Sequence, residues 1–198
     1  MSASLDEAIA KVRSIGDRIC SNQVYCFEQY DAENFDATEL CEYLGIPYTD
    51  DLFVEYPTHR TFRPVAAERI AALARELRVN SLPDDNVGLL REIGDFHLPG
   101  EANIQLCSPE SASSLTSGVW WFPGPATTPV LAVSQYSHAC DGDSIGFRRA
   151  GDRFAPEVYL FEHGRRHMGD ENPDAWTRLL SRSLSEFVCD YIDSLDAI

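Results

Sequence analysis

The stretch PVLAVSQYSHACDGDSIGFRRAGDRFAPEVYLFEH, residues 129–163, decides the fold. Three apolar runs lie inside it, Val130 to Val133, Ile145 to Phe147 and Val158 to Phe161. An acidic glycine loop, Asp141-Gly142-Asp143, separates the first two. Ala150-Gly151-Asp152 and then Pro156 separate the second from the third. β-Branched and aromatic runs punctuated by Gly, Asp and Pro read as strands joined by tight turns. The links are too short for a parallel crossover, so the three strands are expected to form an antiparallel meander.

Helical patterns flank this sheet. Ser4 and Glu7 form a capping box in front of a stripe of Leu5, Ile9, Val12, Ile15 and Ile19, which predicts a helix from Ser4 to about Cys20. Asp36 to Leu44 reads as a second helix, with Gly45 at its end. Tyr48 to Arg63 is polar and irregular, and is the natural boundary. Pro64 is placed to open a third helix whose stripe is Val65, Ile70, Leu73, Ala74 and Leu77. Pro83-Asp84-Asp85 starts a fourth, with Val87, Leu89, Leu90 and Ile93 apolar and Gly94 ending it. A strand is expected at Asn103 to Cys107, a small-polar loop at Ser108 to Ser117, and a further strand at Val119 to Phe122. Trp176 to Leu180 is ambiguous. The final helix is unambiguous: Ser183 caps it, Glu186 follows three residues on, and Leu184, Phe187, Val188, Tyr191, Ile192 and Leu195 form one stripe. The fold class is α+β, one mostly antiparallel sheet of about five to six strands with helices against it and the C-terminal helix closing the fold. Residues 1–63 read as a helical N-terminal extension and residues 64–198 as the α+β domain.

Composition narrows the function. The 198 residues carry a net charge of −16, which disfavours bare nucleic acid and anionic membrane surfaces as partners. A basic protein partner is favoured by the same field. No apolar run approaches the ~20 residues of a membrane span. Asp6 and Glu7 stand where a signal peptide would be positive, so a cytoplasmic location is expected. Cys20, Cys26, Cys41, Cys107, Cys140 and Cys189 include no CxxC pair and match no zinc spacing.

From Glu68 onward the order of features resembles the SUKH superfamily, which includes fungal regulators of cell-wall glucan synthesis and bacterial immunity proteins. The phrases are ARELRVNSLPDDNVGLLREIGDF, CDGDSIGF, PEVYLFEH and SRSLSEFVCDYI. The segment up to Arg63 has no counterpart in that pattern, and the usual aromatic after LPxx is replaced by Asn86. The resemblance implies a non-catalytic protein-binding module without a cofactor, one that neutralises a toxin, commonly a basic nuclease.

Candidate partner-facing residues follow. Asp141 and Asp143 flank Gly142; a turn role fits Asp143, and Asp141 stays open between turn and contact. Trp120 and Trp121 are adjacent, so on a strand one is core and the other covered or exposed as an anchor. Asp84, Asp85, Glu162, Asp170 and Glu171 complete the acidic set. His138, Cys140, His163 and His167 have no metal-ligand spacing, and no nucleophile signature surrounds Cys140. The alternatives are a cytoplasmic regulatory scaffold of the same fold and a thiol- or metal-dependent hydrolase.

Overall fold

The structure, a computed structural model, describes residues 3–15, 17–20, 55–58, 64–98, 104–110, 112–113, 116, 128–136, 143–162 and 172–195. The expected helix at Asp36 to Leu44 and strand at Val119 to Phe122 lie outside them.

Helix α1 (Leu5–Ile15) starts as its capping residues dictate. The Glu7 N–H donates to Ser4 Oγ at 3.2 Å, and Ala8, Ile9 and Val12 are buried. The helix stops earlier than its stripe suggests. Asp17–Cys20 is strand β1, antiparallel to β2 (Glu55–Thr58), with Asp17 opposite Thr58 and Cys20 opposite Glu55. Two expectations are thereby corrected: the helix does not run to Cys20, and the region from Tyr48 to Arg63 is not wholly irregular. Gly16 favours a break after Ile15. Pro57 is tolerated in β2 because both strands of a two-stranded ribbon are edges.

Helix α2 (Ala67–Glu76) begins after Pro64, with Ala66 in extended conformation at its cap. Val65 lies before the helix, and its N–H donates to Leu90 O at 2.8 Å, so Pro64 does not occupy the first turn as expected. Ile70, Leu73 and Leu77 are buried on one side. Helix α3 (Asp84–Glu92) starts after Pro83 and is followed by Gly94 at φ 91°, a left-handed position suited to glycine.

The main sheet runs in chain order: β3 (Phe96–Leu98), β4 (Ile104–Leu106), β5 (Val130–Tyr136), β6 (Ser144–Ala150), β7 (Arg153–Phe161) and β8 (Thr177–Ser181). Every neighbouring pair is antiparallel. Strands β5 to β7 are the expected meander. A two-residue turn joins β6 to β7, with Gly151 at φ 68° in it. Strands β3 and β4 are only three residues each. The expected loop at Ser108 to Ser117 is helical at Pro109, Glu110, Ala112, Ser113 and Thr116; the Ala112 N–H donates to Ser108 O at 2.8 Å. Pro109 right after Ser108 is a helix opening that serine-rich composition conceals.

Helix α4 (Leu184–Leu195) closes the fold. The Glu186 N–H donates to Ser183 Oγ at 3.1 Å, and Leu184, Val188 and Ile192 are buried. One face of the sheet presents Leu131, Val133, Ile145, Phe147, Phe154, Val158 and Leu160 to the helices, and Ala8, Ile9 and Val12 of α1 join the same core. The opposite face carries a smaller cluster of Val130, Ala132, Phe161 and Trp176, with Phe161 and Trp176 packed edge to face at 6.0 Å. Burial on both faces explains why Val130 to Val133 is continuously apolar rather than alternating. Among the described residues no helix is long and apolar enough to cross a membrane.

Candidate interaction surface

Register brings two of the sequence motifs together. Ser144 opens β6 and lies opposite Phe161, which closes β7. Asp143, one residue before β6, and Glu162, one residue after β7, therefore leave the sheet at the same end, both half-buried. The Glu162 N–H donates to Trp176 O at 2.9 Å, which ties this end of β7 to the entry of β8. Asp143 and Glu162, about twenty residues apart in sequence, are thus brought near each other at the end of one strand pair.

The other acidic candidates divide. Asp84 is exposed at the start of α3. Asp85 is half-buried, and its Oδ2 accepts the Ser185 N–H at 3.0 Å. Asp85 is thus an N-terminal anion for α4, whose first N–H groups have no partner within the helix. Glu186 reaches back in the same region, accepting the Ser181 hydroxyl at 2.9 Å and the Arg182 N–H at 3.1 Å. The Ser181 hydroxyl, followed by the Arg182 amide, holds the Glu186 carboxyl below the usual carboxylate range. Trp120, Trp121, Asp141, Asp170 and Glu171 lie outside the described residues, as do His138, Cys140, His163 and His167. Among the described residues no group of three or more His, Cys, Asp or Glu side chains is placed to hold a metal.

A second acidic surface runs along α1 and α4. Lys11 pairs with Asp193, whose carboxylate raises the Lys11 pKa. Glu7 and Asp190 are exposed on the same two helices, so Lys11 leaves this ridge net negative. Buried between them is Cys189, whose thiol is pushed up chiefly by burial.

Three features have no counterpart in the sequence reading. Gly146 lies opposite Ala132 at a β-bulge, and a Cβ there would run into the Leu131 carbonyl. Arg149 donates from Nε to Thr128 O at 2.8 Å and from Nη2 to Leu77 O at 2.7 Å, with its guanidinium 5.1 Å from the Phe154 ring centre. Leu179 and Leu180 are exposed on β8. A glycine between Ile145 and Phe147 in an apolar strand was the available signal for the first. The RLLSR phrase, two adjacent leucines between arginines, was the signal for the last.

No family model matches the sequence, and no curated protein matches it.

Proposed function

We propose that this chain is a non-catalytic binding module of the SUKH type, acting in the cytoplasm as an immunity protein that occludes a basic, nuclease-type toxin. The observation that carries this reading is the meeting of Asp143 and Glu162 at one end of the sheet, through the Ser144–Phe161 register. The two residues belong to two of the four phrases that carry the resemblance, CDGDSIGF and PEVYLFEH, and both are carboxylates. A net charge of −16 supports the choice of a basic partner, because a nuclease surface built for phosphates is steered toward carboxylates. The α1–α4 ridge adds to the same field. Occlusion requires no reacting group.

The test is co-purification with the product of the adjacent gene, together with protection of the producing cell. Binding is expected to weaken as salt rises. The Asp143→Lys, Glu162→Lys double variant is expected to lower affinity at least about tenfold, chiefly by slowing association. No binding and no protection would sink the proposal.

A further inference from the structure

Helix α1 packs on α3 with one side and on α4 with the other. Arg13 pairs with Glu92 of α3 at 3.0 Å, and Lys11, on the opposite side of α1, pairs with Asp193 of α4. Between α1 and α3 runs an open groove of about 540 Å³. Leu5, Ile9 and Ala10 form one wall and Gly88 the other; Leu5 and Gly88 are half-buried and Ala10 is exposed. The groove exists because α3 has no side chain at position 88, where a Cβ would meet the end of Leu5. From Leu5 to Arg13 it follows α1 for about 12 Å, roughly two helical turns.

Charge selects the occupant. Helix α4 carries Glu186, Asp190 and Asp193 and no basic residue, and Asp6 and Glu7 stand in the first turn of α1. Asp6, Glu7 and Asp190 are exposed. On the α3 side Arg13 is neutralised by Glu92. Arg91 stands at the Arg13 end of the groove, a cation with no carboxylate partner among the described residues. An anionic ligand would meet the carboxylates of α1 and α4, and an uncharged one would leave them unused. Apolar side chains bracketed by cations suit both the groove and the ridge beside it. We infer that the groove receives two turns of a basic amphipathic helix of a partner protein, its apolar side chains between α1 and α3 and its lysines or arginines across α1 against Asp6, Glu7 and Asp190. Buried apolar anchors slow dissociation, and the carboxylates steer approach. Arg91 repels a cation at its end and so sets the direction in which the helix lies. The inference deepens the proposed function and rests on it for the basic character of the partner. It adds a contact on the helical layer to the one at the Asp143–Glu162 end of the sheet.

The test uses the full chain and a synthetic amphipathic helix of leucine and lysine, with its affinity measured by titration. Replacing the peptide's leucines by serine, or its lysines by glutamate, is expected to weaken binding at least about tenfold in each case. Ala10→Trp, which fills the groove, is expected to weaken binding of the original peptide by a similar factor. A peptide with a photoreactive group in place of one leucine should label α1 or α3 along the groove. If Ala10→Trp melts below the wild type, the labelling decides alone. Labelling elsewhere, at Leu179 and Leu180 for example, overturns the inference, as does an Ala10→Trp variant of native stability that binds like the wild type. Equal binding of the serine peptide overturns it as well, since charge alone would then account for the contact. The adjacent gene's product separates the two readings. A toxin that binds Ala10→Trp as tightly as the wild type overturns this inference and upholds the proposed function. A gene product that does not bind, beside a peptide that labels the groove, refutes the proposed function and upholds the groove.

Discussion

Asp85 Oδ2 accepts the Ser185 N–H at 3.0 Å, joining the first turn of α3 to the first turn of α4 across 100 residues of sequence. With Ser183 Oγ taking the Glu186 N–H, two of the N–H groups that α4 leaves unmated are satisfied, one locally and one from a distant helix. Removing an N-terminal acceptor costs about 1 kcal/mol, with a range of roughly 0.5–2 kcal/mol. Asp85→Ala is therefore expected to lower unfolding free energy by about that amount in urea, with an unchanged slope. The same variant separates two roles. If Asp85 serves the helix alone, partner affinity stays at the wild-type value once both proteins are folded, whereas Asp84→Ala leaves stability unchanged.

The contrast between Gly146 and Gly88 gives a second expectation. At Gly146 the obstacle to a Cβ is backbone, at Leu131 and Ala132 in the adjoining strand. That strand is held by β4 and β6 on its two sides and has nowhere to move. At Gly88, in the middle of α3, the obstacle is the end of the Leu5 side chain from α1. Leu5 can take another rotamer, and alanine gains about 1 kcal/mol of helix propensity over glycine. Gly146→Ala should cost about 3 kcal/mol or more and Gly88→Ala less than about 1 kcal/mol, in either direction. Thermal melts of the two variants side by side check this; similar melting temperatures would refute the close approach at Gly146.

The legible parts of this fold are those whose information is local. Leu184, Val188 and Ile192 show the period of a buried helix within a single window, and Ser183 announces its start. The meander is legible because Gly151 and its neighbours punctuate it and both flanking runs are apolar. Strands β1 and β2 are not, since Arg18 finds Pro57 across a stretch with no alternating pattern on either side. Strand β8 fails for a different reason: the register shifts between Leu179 and Ser181, and that bulge interrupts the period of two. Half of the candidate surface was legible as phrases. Their meeting at one end of the sheet depended on the register of Ser144 with Phe161, which no local pattern specifies. Asp85 read as a surface acid because its partner amide is a backbone group, invisible to residue type.

The Glu186 carboxylate has a pKa held low in the folded protein by the Ser181 hydroxyl and then the Arg182 amide. A folded-state pKa below the unfolded one means that the contribution is fully present above the unfolded carboxylate value, about 4.3. It is lost as pH falls through the lower folded value. Glu186→Gln should therefore melt below the wild type at neutral pH, with the gap closing below about pH 4. Paired melting curves from pH 7 to pH 3 check the sign. A gap that widens toward acid would show that the carboxylate does not act through these two donors.

Arg149 offers the sharpest test of the packing between helix and sheet, because it is a half-buried cation. Burial lowers its pKa, yet an arginine keeps its charge, so its contacts must offset the loss of hydration. They come from the Thr128 and Leu77 carbonyls and from the Phe154 ring below. Leu77 is the C-cap of α2, so the guanidinium also lies at the negative end of that helix. Replacing the side chain by methionine keeps most of the volume but leaves both carbonyls without this donor, at roughly 1–3 kcal/mol for each that water cannot reach. Lysine restores a charge but presents a point donor that cannot span two carbonyls or stack flat on a ring. Arg149→Met is expected to lose about 2 kcal/mol or more, and Arg149→Lys to recover less than half of it. Urea unfolding of the three proteins at neutral pH measures both steps. Full recovery by lysine would show that charge alone matters and that the forked geometry between α2 and β6 carries no stability of its own.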